Sequence, residues 1–136
     1  MKVQELMSRD VRLARPEQTI RDVARLMQSQ DIGAMPVEEN DRLAGMITDR
    51  DIAVRAVAAG HGPDTRVSEV MTRGIKYCFD DQELDEVAAN MAKQQLRRMP
   101  VVNRERRLVG ILAIADVARR ELDAATAKAI EGISKA

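Results

Sequence analysis

Thr48, Arg50 and Asp51 are the side chains in this sequence whose types and spacing best suit the binding of a small polar ligand. The apolar residues 43–47 predict a short buried strand and residues 51–59 predict a helix, so the three side chains lie at a strand-to-helix corner. The first amides of a helix lack intrahelical partners and carry positive partial charge, so they can bind phosphate together with the Thr48 hydroxyl and the Arg50 guanidinium. The Asp51 carboxylate can accept hydrogen bonds from ribose hydroxyls.

The same residue types also cap helices without any ligand. Thr and Asp at the start of a helix commonly accept hydrogen bonds from its first amides, and the corner taken alone favours this capping role. The hypothesis of a binding site gains weight because the sequence contains a second copy of the corner.

The chain contains an internal repeat of about sixty residues. The sequence VQELM at 3–7 recurs as VSEVM at 67–71, and MPV at 35–37 recurs at 99–101, both at an offset of 64 residues. One residue is inserted into the following turn, so LAG at 43–45 matches LVG at 108–110 at an offset of 65. We therefore predict a first repeat over residues 1–62, a second over 63–122 and a helical tail over 123–136.

The pattern of apolar and turn residues in each repeat predicts the element order β-α-β-β-α. In the first, apolar residues at 20, 23, 24 and 27 predict a helix, which Thr19 and Asp22 begin as a capping box. Strands are predicted at 11–14, 34–38 and 43–47, the last two forming a hairpin. In the second repeat, strands are predicted at 75–78, 99–102 and 108–112, and helices at 84–95 and from about 115.

This order predicts an α/β fold of the α+β type. A three-stranded sheet with helices on one side leaves its other face uncovered. Packing the two sheets against each other buries both faces, which predicts pseudo-twofold symmetry between the repeats.

Composition excludes several classes of function. Lys+Arg and Asp+Glu both number 22 in 136 residues, and Tyr77 and Phe79 are the only aromatic residues, so we expect no nucleic-acid partner. No apolar run is long enough to span a membrane and the N-terminus has no signal-peptide core, so we expect a cytoplasmic protein without a membrane partner. Since the chain has one Cys, Cys78, and one His, His61, we predict no metal site, a buried Cys78 and no enzymatic activity.

The doubled pattern resembles a tandem cystathionine-β-synthase (CBS) domain pair, also called a Bateman module. The resemblance rests on IGAMPV at 32–37 with LRRMPV at 96–101, and on GMITDRD at 45–51 with GILAIAD at 110–116. It covers residues 3 to about 122 and implies two β-α-β-β-α CBS repeats packed sheet to sheet.

The resemblance also implies two clefts that bind adenosine-containing ligands and are lined by both repeats. It assigns to the first cleft Thr48, Arg50 and Asp51, with Thr72, Gly74, Ile75, Leu96, Arg97 and Arg98 opposite. It assigns to the second cleft Asp116, Ala113, Arg97 and Arg98, with Asp10, Val11, Ile32, Gly33 and Ala34 opposite. Ala113 replaces the hydroxyl residue of the motif, so in the second cleft Arg97 and Arg98 are left as side-chain contacts for phosphate. The alternative for the two arginines is an ordinary solvated pair.

We therefore predict a regulatory module that binds AMP, ADP, ATP, NAD or S-adenosylmethionine and has no obligatory cofactor. The alternative is a ligand-free module for dimerisation or scaffolding. We expect a homodimer, and an unknown effector protein that receives the signal, since no catalytic or DNA-binding domain is present in the sequence.

Overall fold

The computed structural model describes residues 1–135, with side chains described for residues 1–132. Ala136, the last residue of the predicted tail, lies outside the described residues. The first repeat contains α1 (Ile20–Gln30), β1 (Ala34–Glu39), β2 (Arg42–Thr48) and a π-helix (Asp51–Val57); the second contains β3 (Cys78–Phe79), α2 (Leu84–Lys93), β4 (Arg98–Val102), β5 (Leu108–Ala113) and α3 (Ile114–Lys135). None of the helices among the described residues has the length and apolar character needed to cross a membrane.

The mixed α/β fold, with two small sheets and flanking helices, confirms the predicted fold class. β1 pairs antiparallel with β2, and β4 pairs antiparallel with β5, as the two predicted hairpins require. Thr19 caps the N-terminus of α1: its side chain accepts a hydrogen bond from the Asp22 amide at 3.2 Å, which is one half of the predicted capping box. Asp31 caps the C-terminus of α1 with a left-handed backbone (φ 53°), and Gln95, shortly after α2, also has a left-handed backbone (φ 58°).

The first predicted strand of each repeat is wrong in extent. In place of a strand over 11–14, Ala14 alone bridges Val37, because the preceding residues turn away from β1 and border a cleft between the sheets. In place of a strand over 75–78, the parallel pairing with β4 covers Cys78 and Phe79, after a left-handed Gly74 (φ 66°). The sheet of the first repeat is therefore two-stranded, and the sheet of the second is three-stranded.

The helix at the Thr48–Asp51 corner is wound differently from the predicted α-helix. Its hydrogen bonds run between residues five apart, for example from the Ala58 amide to the Ala53 carbonyl at 3.0 Å. It is a single π-helical segment of seven residues, a form that is rare in proteins.

The segment that starts each repeat packs into the core of the other repeat. Val3 is fully buried in the core of the second repeat, whereas Val67 and Val70 are fully buried in the core of the first. The backbone bonds are equivalent: the Val3 amide donates to the Gln82 carbonyl at 3.0 Å, and the Val67 amide donates to the Gln18 carbonyl at 2.8 Å. This reciprocal exchange locks the two repeats together about their pseudo-twofold axis.

Two glycines at equivalent positions make room for the exchanged segments. Ser8 bridges Ile111 in β5, and Thr72 bridges Met46 in β2. A Cβ on Gly45 would collide with the Thr72 carbonyl oxygen, and a Cβ on Gly110 would lie 2.8 Å from the Ser8 carbonyl oxygen. The close approach of backbone to backbone therefore requires glycine at both positions.

Cys78 is buried in the core of the second repeat, as predicted. Burial raises the pKa of its thiol to about 11, and Asp80 contributes to the same shift. Because the thiolate is the reactive form, Cys78 is an inert core residue at neutral pH.

Candidate functional site

A cleft of about 250 Å³ lies between the two repeats and is lined by residues of both. The first repeat contributes Ser8, Asp10, Val11, Arg12, Ile32, Ala34, Pro36 and Met46, and the second contributes Arg98, Ile111, Ala113 and Asp116. Seven of these residues belong to the set predicted for the second cleft: Asp10, Val11, Ile32, Ala34, Arg98, Ala113 and Asp116. The structure therefore brings most of that predicted set together.

Strand register explains how the walls of the cleft form. Arg98 in β4 pairs with Ala113 in β5, so their side chains lie on the same face of the second sheet, and Ile111 shares that face because side chains alternate along a strand. In the first sheet, Pro36 pairs with Met46 in the same manner. The two faces meet across the cleft and give it an apolar floor.

Charged side chains surround this apolar floor. Arg12 lies 3.7 Å from Asp10, whereas Arg98 is exposed and forms no ion pair with another residue of the described part of the chain. Asp116 lies in the first turn of α3, where Arg119 donates to its carboxylate at 3.3 Å. The Asp116 side chain retains 38% of its exposed area, so its carboxylate is accessible to a ligand.

The Thr48–Asp51 corner forms a reciprocal cap. The Asp51 amide donates to Thr48 Oγ1 at 3.0 Å, and the Thr48 amide donates to Asp51 Oδ2 at 2.9 Å. The Arg50 amide donates to the Asp49 carboxylate at 2.8 Å, and the Arg50 side chain is exposed. The amides that we expected to be free for phosphate are thus bonded to side chains, although Asp51 Oδ1 makes no hydrogen bond within the described residues.

The remaining residues predicted for the first cleft have separate environments. Thr72 accepts a hydrogen bond from Arg55 at 3.0 Å through its hydroxyl. Gly74 and Ile75 line a second cavity, described below. Leu96 packs against the core of the second repeat.

Gly33 and Arg97 occupy equivalent backbone positions and do not line the 250 Å³ cleft. The carbonyl of Gly33 accepts from the Asp49 amide at 2.9 Å, and the carbonyl of Arg97 accepts from the Ile114 amide at 2.9 Å. Each of these bonds joins the residue before a hairpin to the residue after it. The Arg97 side chain is exposed.

Sequence reasoning missed five residues that line the cleft: Ser8, Arg12, Pro36, Met46 and Ile111. The alternation of side chains along β1 and β2 was a usable signal, since Pro36 and Met46 lie two residues from the predicted Ala34 and Thr48. Ser8 reaches the cleft through the exchange of segments between the repeats, for which the sequence offers no local signal.

Asp51→Ala should lower the free energy of unfolding by about 0.5–2 kcal/mol, because it removes one acceptor of the cap. Asp116→Ala is the matched control, since Ala113 has no hydroxyl with which Asp116 can form the reciprocal pair. We therefore expect a smaller loss for Asp116→Ala in urea denaturation. Equal losses for the two variants would contradict a structural role specific to Asp51.

The described residues contain no group of three or more His, Cys, Asp or Glu side chains that could hold a metal ion.

Comparison with known proteins identifies the family. The model of the CBS domain matches residues 3–57 and again residues 67–123. The CBS domain-containing protein YhcV of Bacillus subtilis is 40% identical over 120 residues, which are 88% of this chain and 85% of that protein.

Two solved structures share the fold. Hypoxic Response Protein I, solved with two coordinated zinc ions, has a TM-score of 0.78 and 36% identity, and the match covers 88% of this chain and 98% of that one. The CBS domain pair of protein MJ0100, solved with 5-methylthioadenosine and S-adenosyl-L-methionine, has a TM-score of 0.74 and 31% identity, and the match covers 88% and 94% of the two chains. With two matches to the family model in one chain, and relatives along most of its length, the protein belongs to the CBS domain family and carries a pair of these domains.

Proposed function

We propose that this CBS pair is a regulatory module that binds an adenosine-containing ligand in the cleft between its repeats. The observation that carries the proposal is the convergence of both repeats on one cleft, with an accessible carboxylate, Asp116, beside an apolar floor. The ligands of MJ0100, 5-methylthioadenosine and S-adenosyl-L-methionine, support the adenosyl class. AMP, ADP, ATP and NAD belong to the same class.

The cleft offers a separate group for each part of such a ligand. The Asp116 carboxylate accepts hydrogen bonds from the two vicinal hydroxyls of ribose. Val11, Ile32 and Ile111 offer apolar contact to adenine, and Arg98 offers a cation to a phosphate or carboxylate.

Ligand-dependent protection against unfolding tests the proposal. A ligand that binds the folded state alone, at a concentration one hundred times its Kd, stabilises the protein by about 2.7 kcal/mol. We expect at least one member of the panel AMP, ADP, ATP, NAD, S-adenosylmethionine and methylthioadenosine to raise Tm by several degrees. The proposal fails if no member of the panel raises Tm, so that the adenosine-containing ligands have no more effect than guanosine analogues.

Arg98 should set the preference for charged ligands. A guanidinium gains little from a neutral nucleoside but forms charge-assisted hydrogen bonds with phosphate. Arg98→Ala should therefore reduce the ratio of ATP affinity to adenosine affinity by about tenfold, while Arg97→Ala leaves it nearly unchanged. An unchanged ratio in Arg98→Ala, measured by calorimetry, would show that the arginine is an ordinary solvated residue.

Exposed apolar side chains favour assembly as part of this function. Val57, Leu122 and Ile130 are 66%, 66% and 60% exposed, and they lie on the π-helix and on α3. We propose that these helices mediate a homodimer in the cytoplasm that signals to an effector chain. Sedimentation of a monomer at micromolar concentration, with and without nucleotide, would refute the homodimer.

The same exposed helices favour a second function, a ligand-free scaffold that assembles a partner. The absence of a hydroxyl at Ala113 supports this alternative. The two functions differ in the melting experiment, because a scaffold shows no stabilisation by any adenosine-containing ligand.

A further inference from the structure

A second cavity, of about 280 Å³, lies at the hairpin-turn end of the two sheets. Its apolar surface includes Leu43 and Ala44 at the start of β2, together with Ile75 and Val102. It shares Gly74 and Ile75 with the set predicted for the first cleft, but it meets β2 at residues 42–44, at the opposite end of the strand from Thr48.

Guanidinium and hydroxyl groups converge on the rim of this cavity. Arg42, Arg106 and Tyr77 line it, and Arg106 donates to the Tyr77 hydroxyl at 3.2 Å. Neither arginine forms an ion pair with a carboxylate within the described residues. The rim therefore presents two guanidinium cations and a phenol and no acidic side chain.

Neighbouring arginines of the same turn form ion pairs, whereas Arg106 does not. Arg104 forms a bidentate pair with Asp81 at 2.7 and 2.8 Å, which lowers the pKa of the Asp81 carboxyl. Arg107 lies 3.9 Å from Glu105. Arg106, between them, has the neutral Tyr77 hydroxyl as its partner and faces the cavity.

Arg106 lies in the turn of the second repeat, which is one residue longer than the turn of the first repeat. Asn103 Oδ1 accepts from the amides of Glu105 and Arg107, both at 3.0 Å, and holds the loop closed. Arg106 takes a left-handed backbone (φ 66°), a conformation that costs an L-residue energy. The shorter turn of the first repeat, at Asn40 and Asp41, has no counterpart of Arg106.

We propose that this cavity binds a small organic anion that carries an apolar body. Guanidinium groups pair with carboxylate or phosphate through charge-assisted hydrogen bonds, while the floor of the cavity removes an aliphatic or cyclic group from water. Its volume of about 280 Å³ is near the lower limit of ordinary ligand pockets and is large enough for a small ring that carries one acidic group. The site lies apart from the cleft that contains Asp116, so it gives the module a second chemical input.

Tyr77 provides a direct reporter of this cavity. It is the only tyrosine and the chain has no tryptophan, so ultraviolet fluorescence of the protein arises mainly from this one ring. Cyclohexanecarboxylate and cyclohexyl phosphate do not absorb at the excitation wavelength and serve as probes. We expect a saturable change in Tyr77 emission with one or both, and the tighter probe identifies the preferred anion.

Two reference compounds separate the contributions. Cyclohexylmethanol has the same body without the charge, and acetate has the charge without the body. Each should bind at least tenfold more weakly than cyclohexanecarboxylate. Equal responses to acetate and cyclohexanecarboxylate would indicate general ion pairing and would overturn the proposal, as would the absence of a saturable response to either anionic probe.

Paired variants locate the site. Arg106→Gln and Arg42→Gln should each weaken binding of the better probe by about tenfold or more. Arg107→Gln, in the same turn and outside the cavity, should leave it within about twofold. Arg42→Gln does not alter the partner of the Tyr77 hydroxyl, so its signal stays interpretable. If all three variants bind like the unmodified protein, the anion does not occupy this cavity.

Discussion

Gly45→Ala should destabilise the protein by about 2–4 kcal/mol, since it forces backbone apart inside a packed region. The added Cβ would collide with the carbonyl oxygen of Thr72. That oxygen accepts from the Met46 amide at 3.0 Å, and the Thr72 amide donates back at 2.9 Å. A flexible side chain can move away from an added methyl group, but this backbone pair cannot move without breaking its hydrogen bonds.

Urea denaturation measures this loss, and Gly62→Ala is the control. A Cβ on Gly62 would meet no atom within 4 Å, so that variant should be neutral or slightly stabilising, by up to about 1 kcal/mol. A loss below about 0.5 kcal/mol for Gly45→Ala would contradict the close packing of the exchanged segment against β2.

Asp116→Ala should weaken the binding of adenosine-containing ligands by tenfold or more. Two charge-assisted hydrogen bonds to ribose are lost, each worth on the order of 1.5–3 kcal/mol. Ligands with 2′-deoxyribose should already bind poorly to the unmodified protein. Alanine is a good helix former, so α3 should persist, and the variant isolates binding from stability.

Asp123→Ala is the matched control for that variant. Asp123 lies on α3, is exposed and does not line the cleft. Its removal changes the net charge equally but should leave affinity within about twofold. A ligand that binds Asp116→Ala and Asp123→Ala equally well would exclude a ribose contact at Asp116.

Those parts of the fold that depend on local pattern could be predicted from the sequence. The apolar spacing from Ile20 to Met27 predicts α1, and the repeated MPV and glycine motifs predict both hairpins. The same repeated motifs carry the resemblance to the CBS family. Seven of the residues that this resemblance assigns to the second cleft line the observed cleft.

Features that depend on contacts between the repeats could not be predicted. The burial of Val3 in the second repeat and of Val67 in the first is set by tertiary packing, and no local periodicity reports it. The cap between Thr48 and Asp51 and the proposed ligand site use the same residue types, so sequence alone could not separate them. The π-helical winding after Asp51 has no sequence cause that we can identify.

The most direct test of the central claim is calorimetric titration of the protein and of Ala34→Leu with the best ligand of the adenosine panel. Ala34 lines the cleft, and a leucine there would occupy the space of the ligand. We predict binding that is weaker by about tenfold or more, because overpacking costs roughly 1–3 kcal/mol. Ala125→Leu, on the exposed part of α3, should bind normally. Ligand binding to Ala34→Leu as tight as to the unmodified protein would contradict a site in the cleft between the repeats.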